Sequence, residues 1–156
     1  MGAIHADVYA RNPRCRLMAV ADVEGHKART LAARHGVQAF EDAERMLDEL
    51  RPAAVTIATS DHAHVEPTLA CLKRGIHVLL EKPIATTLAD ADKIIRAAQS
   101  AGVKVLVGHV VRFDPRYVRA KQAVDTGEIG RVEAIFARRL NRASLQSVLR
   151  GRVSVL

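Results

Sequence analysis

The chain has 156 residues, enough for one well-packed domain but not for two. With 49% hydrophobic and 26% charged residues it has the composition of an ordinary soluble globular protein, which excludes disordered, collagen-like and disulfide-scaffold chains. The net charge of +7 is local: residues 1–111 hold 14 bases and 13 acids, residues 112–156 hold 10 and 4, and with 3% aromatics and no Trp a nucleic-acid partner is disfavoured.

Met1-Gly2-Ala3 leads straight into a helical pattern, with Ile4 and Val8 one turn apart and no strand before it. Runs rich in β-branched residues at 17–21, 53–59, 76–80 and 103–107, with a shorter one at 37–40, predict strands. They are continuous rather than alternating, as in a parallel sheet covered by helices on both faces. Helices are predicted between them. One carries Ala28, Leu31 and Ala32 and ends at Gly36, one carries Met46, Leu47 and Leu50, and one carries Val65, Leu69 and Leu72 and ends before Gly75. A fourth has Leu88, Ala91, Ile95 and Ala98 at helical spacing, with Thr87 and Asp90 to cap it and Gly102 to close it. After residue 111 Pro115 opens a further helix through Val124, Thr126-Gly127 ends it, and residues 131–137 alternate as a half-exposed strand should.

The predicted fold class is therefore α/β, a doubly wound parallel sheet for which no opening strand is found, followed by the start of a second α+β domain. The first domain covers residues 1–111, and residues 112–156 are an incomplete second one. No run reaches the roughly 18 to 20 apolar residues of a membrane span and no cleavable signal is visible, so a cytoplasmic protein is expected. Cys15 and Cys71 lack any C-x-x-C spacing and read as small core residues.

Two local constellations carry no chemistry. Ser60, Asp61 and His62 are sequence neighbours, which cannot form a nucleophile, base and orienter line, and read as a loop and helix cap. His62, His64, Cys71 and His77 match no zinc spacing, and His77 falls on an apolar strand, where a core histidine is expected; no metal is predicted.

An ordered series of motifs runs through the chain: Met1-Gly2-x-x-His5-Ala6, Val20-Ala21-Asp22, Ile57-Ala58-Thr59, His64, Gly75-x-His77-Val78, Glu81-Lys82-Pro83, Gly102-Val103, Val107-Gly108-His109, Arg112-Phe113-Asp114-Pro115 and Gly127-Glu128-Ile129-Gly130. In order and spacing it resembles the Gfo/Idh/MocA family of nicotinamide-dependent oxidoreductases. The resemblance implies a Rossmann domain that carries NAD or NADP and a second, open-sheet domain that completes the substrate site.

Of the family's G-x-G-x-x-G turn only the last glycine, Gly2, is present. The resemblance places Asp22 on the adenosine ribose hydroxyls, which favours NAD over NADP, although Asp22 can also cap the next helix. It sets Thr59, Ser60, His64 and His109 along the cofactor path, with Ser60 standing where many relatives carry proline. It makes Lys82 the catalytic cation beside the reacting carbinol oxygen, Glu81 a neighbour of the nicotinamide that helps orient the lysine, and Pro83 a cis proline, with all three counted among the cofactor-binding residues. His5 is implied to be cofactor-proximal or structural, and Arg112 to anchor the domain junction.

The family's Asp and His acid-base pair, early in its second domain, has no counterpart before Leu156. The chain therefore reads as an internal piece of a longer enzyme with little turnover of its own, its sheet left with two open edges. The implied reaction is hydride transfer between NAD(P) and a sugar, polyol or related hydroxyl compound. The alternative is a non-catalytic, degenerate Rossmann module that pairs with another chain; a homo-oligomer is compatible with either.

Overall fold

A computed structural model describes residues 1–138. Eleven regular elements follow in order: α1 (Gly2–Arg11), β1 (Ala19–Ala21), α2 (Gly25–His35), β2 (Gln38–Phe40), α3 (Ala43–Leu50), β3 (Ala54–Ile57), α4 (Val65–Lys73), β4 (His77–Leu80), α5 (Leu88–Ala101), β5 (Val105–Val107) and α6 (Pro115–Asp125). They fall into two units, Met1–Gly108 and a second opening at His109.

Every strand pairs in parallel. β1 lies beside β2 with Val20 opposite Ala39, and β4 is central in β3-β4-β5, with Val78 opposite both Val55 and Val105. In the doubly wound order 3-2-1-4-5-6, β2-β1 occupies places 3-2 and β3-β4-β5 places 4-5-6. Among the described residues no strand stands between β1 and β3, so these two inner edges are open in addition to the outer edges of β2 and β5, as the sequence led us to expect.

Local chemistry sets the helix ends. Asp42 caps α3 by accepting the Glu44 and Arg45 amides at 2.8 and 3.2 Å. Thr87 caps α5 by accepting the Asp90 amide at 3.1 Å, while its hydroxyl donates to the Asp90 carboxylate. Lys93 bonds the same carboxylate and, with Thr87, holds it below the usual carboxylate range. α2 and α5 both end in a left-handed residue, Gly36 and Gly102, each at φ +65°, a conformation that glycine adopts without Cβ strain. Asp114 and Pro115 start α6, the proline standing where a missing N–H costs nothing.

The core gathers Phe40, Leu47, Ile57, Leu72, Val78, Leu80 and Ile94 between the helices and the strands. Arg74 at the end of α4 ties α3 to it by bonding Asp48 and Glu44, and so holds the Asp48 carboxyl below its usual range.

Four expectations are corrected. In α5 the buried residue is Ile94, fully enclosed, whereas Leu88 is 80% and Ile95 45% exposed. Ile94 shares helical spacing with Ala91 and Ala98, so the apolar stripe is the expected one turned by one residue. Cys15 is exposed in the loop after α1, because that loop runs over the surface, while Cys71 is buried. His77 is exposed at the start of β4, where its Nδ1 accepts the Lys104 amide at 3.0 Å, since the first residue of a strand sits at the rim of the core. Residues 131–138 form no strand: Ile135 and Phe136 are 83% and 92% exposed, and an alternating segment needs a partner ladder to become one.

Two measurements check this packing. Ile94→Ala should lower stability by about 2–5 kcal/mol and Ile95→Ala by less than about 1, read as the shift in urea midpoint. Burial pushes the Cys71 thiol up to about 11, so at pH 8 it stays protonated and unreactive. A thiol reagent at pH 8 should therefore modify Cys15 alone until the chain is unfolded.

Candidate functional site

Loops that leave the carboxyl ends of parallel strands are where open α/β folds hold ligands. Asp22 leaves β1, Thr59 and Ser60 follow β3, and Glu81-Lys82-Pro83 follows β4 directly. The ladder runs on into that last turn. The Glu81 amide donates to the Ile57 carbonyl at 2.9 Å, and the Gly108 amide donates to the Leu80 carbonyl at 2.7 Å. Gly108 lies close to the turn: a Cβ there would stand 3.5 Å from the Leu80 carbonyl oxygen and 3.6 Å from the Glu81 carboxylate.

Glu81 is buried, 6% exposed, and its Oε1 lies 2.8 Å from His5 Nε2. His5 comes from α1 and stacks on Tyr9, with ring centroids 6.2 Å apart. The Tyr9 hydroxyl in turn shares a 2.6 Å hydrogen bond with Thr56 on β3. Two polar side chains on successive turns of α1 thus fasten it to the β3 and β4 side of the fold. The Lys82–Pro83 peptide is cis, and the Pro83 carbonyl accepts a 2.6 Å bond from His64 Nδ1. His64 is wholly buried at the start of α4, and its Nε2 has no partner among the described residues. Lys82 itself is exposed and makes no hydrogen bond or ion pair among them.

The remaining candidates stand apart. Asp22 is half-buried, and its Oδ1 accepts the Glu24 amide at 2.9 Å, so the carboxylate braces the turn into α2 and keeps its second oxygen clear of that bond. Beside it Glu24 pairs with Lys27, whose ammonium holds that carboxyl below its usual range, and Glu41 pairs with Arg29. Glu41 also folds over Gly25, where a Cβ would meet its Oε1 at 2.0 Å. Thr59 donates to the Ala63 carbonyl at 3.0 Å, and Ser60 begins a short 3-10 turn without a side-chain cap. Gly2 opens α1 with open space around its missing side chain. His109 belongs to the second unit, where its carbonyl accepts the Arg112 amide. Among the described residues no three His, Cys, Asp or Glu side chains gather to hold a metal ion.

Sequence reasoning missed Tyr9 and Thr56 and the partner of His5. The four-residue spacing of His5 and Tyr9 on one helix face was the available signal.

The residues present fit a dinucleotide. At α1 the N-cap Met1 supplies no side-chain bond and the first turn holds no acidic residue, so the helix start offers amide donors to an anion beside a glycine that leaves room for it. Asp22 supplies an acceptor of the kind that a ribose diol needs.

Comparison with known proteins agrees with this geometry. Residues 1–109 match the model of the Gfo/Idh/MocA family, described as an oxidoreductase family with an NAD-binding Rossmann fold. An inositol 2-dehydrogenase of Rubrobacter xylanophilus is 39% identical over 132 residues, 83% of this chain and 38% of that protein. A myo-inositol 2-dehydrogenase of Thermotoga maritima is 33% identical over 132 residues, 84% of this chain and 40% of that one. The crystal structure of scyllo-inositol dehydrogenase from Lactobacillus casei with bound NAD(H) and scyllo-inositol superposes with a TM-score of 0.78 at 30% identity. It covers 83% of this chain and 39% of its own. The chain thus spans about two fifths of the length of these relatives. With 109 of its 156 residues matched by the family and its strand order that of the fold, the chain belongs to the Gfo/Idh/MocA family of NAD-binding Rossmann-fold oxidoreductases.

Proposed function

We propose that the chain is the cofactor-binding portion of an NAD-dependent oxidoreductase that transfers hydride between the nicotinamide and a hydroxyl carbon of a sugar or polyol, inositols being what the relatives described above are named for. The observation that carries this reading is Lys82, an exposed cation without a partner among the described residues, on a turn whose flanking residues are both held in place. The start of α1 at Gly2 faces the diphosphate, Asp22 takes the ribose hydroxyls, and exposed Val23 offers the adenine an apolar neighbour. Thr59 and Ser60 lie on the path to the nicotinamide, Glu81 and Pro83 border its ring, and His64 holds that border through the Pro83 carbonyl.

When bound, NAD supplies the hydride acceptor. Lys82 donates a hydrogen bond to the substrate oxygen and stabilises its alkoxide form, reached when the hydroxyl proton passes to a general base and discharged to a carbonyl when hydride leaves the carbon for the nicotinamide. The carboxylates of Asp22, Glu24 and Glu41 supply no cationic seat for a 2′-phosphate, and Lys27 and Arg29 are already paired with two of them. This supports NAD over NADP. Residues 112–156 are read as the start of a second domain. Two free cysteines suit the reducing cytoplasm, and no helix among the described residues is long and apolar enough to cross a membrane.

The open edges of β1 and β3 favour a second reading, a non-catalytic module that completes its sheet with another chain. Titration with NADH, followed by its fluorescence, separates the two. Saturable binding that Asp22→Ala weakens by about 10-fold or more supports the cofactor site, whereas a folded chain without binding supports the module. In the enzyme as its own source produces it, Lys82→Ala should lower kcat for polyol oxidation by about 100-fold or more with the NADH Kd little changed. An unchanged kcat would remove Lys82 from the chemistry.

A further inference from the structure

Of the residues around the Lys82 turn, the two histidines have the most constrained geometry and the least explained purpose. His64 is completely buried, and one of its ring nitrogens, Nε2, has no partner among the described residues. A buried polar atom left unpaired is costly, and Leu or Phe would fill such a space with nothing unsatisfied. The imidazole adds the 2.6 Å bond from Nδ1 to the Pro83 carbonyl. A carbonyl oxygen only accepts, so Nδ1 carries a proton and donates it to Pro83.

His5 approaches the same turn from another helix, 2.8 Å from Glu81, and its ring is fixed in turn by the stack on Tyr9 and the bond from Tyr9 to Thr56. Glu81 has little room to swing: it is 6% exposed, and a Cβ on Gly108 would already stand 3.6 Å from its carboxylate. The residues on either side of Lys82 are therefore each held by one imidazole, from α1 and from α4, while the lysine itself is unrestrained.

We propose that His5 and His64 are positioning residues that clamp the Glu81–Lys82–Pro83 turn from two helices and so fix the direction from which the lysine reaches the substrate. His5 does this through the Glu81 carboxylate and His64 through the Pro83 carbonyl. The consequence is a coupling: α1, whose first turn faces the dinucleotide, also sets the lysine. The inference rests on the reading of Lys82 as the substrate cation.

Imidazole 15N spectra of the 156-residue chain test the clamp without turnover. His64 is expected as the single tautomer protonated at Nδ1, and Glu81→Gln is expected to shift the His5 Nε2 resonance while the fold persists. The Lys82 backbone amide should move in both His5→Ala and His64→Ala. A His64 ring bare at Nδ1, or a Lys82 amide unmoved in both folded variants, would overturn the proposal. The source-produced enzyme supplies the functional arm. His5→Ala should lower kcat by about 10-fold or more with the NADH Kd within about twofold, and His5→Gln, whose amide can still donate to Glu81, should recover most of it. If Lys82→Ala is silent, the reading of the lysine fails. If Lys82→Ala lowers kcat and His5→Ala does not, the lysine stands and the clamp falls.

Discussion

The parallel ladder between β3, β4 and β5 is the constraint on which the site depends. β4 is paired on both sides, and the pairing does not stop at its last residue, because the Glu81 amide still bonds β3 and the Leu80 carbonyl still accepts from Gly108. The chain therefore enters the Glu81–Pro83 turn from a backbone held on two edges, with Leu80 fully enclosed beneath it. A flexible lysine on an ordinary loop would sweep a wide volume. Here the backbone of the turn is held and the lysine side chain is exposed, and on the proposed reading that loss of freedom before binding is what would let a single cation act on one oxygen.

Much of this fold was legible in the sequence. Strands buried on both faces read as continuous apolar runs, and all five expected runs contain a strand. The capping residues Thr87, Asp90, Gly36 and Gly102 act as their chemistry dictates, because a cap is decided within a few residues of itself. What escaped depends on distant chain. His5 and Glu81 are 76 residues apart, and Tyr9 and Thr56 are 47 apart, so neither bond leaves a local signature. The exact core stripe of α5 was a matter of rotation by one residue, which periodicity alone resolves poorly. The alternation of residues 131–137 shows that a pattern suited to a strand is not sufficient where no ladder is offered to it.

The two ends of the site also differ in charge. Around Asp22 the carboxylates outnumber the free cations, since Lys27 and Arg29 are both engaged. At Lys82 the balance is reversed, with an ammonium that has no partner among the described residues beside a buried acid already bonded to His5. On the proposed reading the acidic end takes the neutral ribose diol of the cofactor and the cationic end the oxygen of the substrate in its alkoxide form.

The open edges of β1 and β3 have a further consequence. Each is a row of main-chain donors and acceptors in extended conformation, and such rows pair with any strand that reaches them, including the same edge on another copy. Lys and Pro, which commonly blunt exposed edges, are absent from both strands, whose sequences are Ala-Val-Ala and Ala-Val-Thr-Ile. Self-association of these 156 residues would thus grow steeply with concentration and run edge to edge, and dilution or prompt capture of these edges would govern how much chain remains in solution.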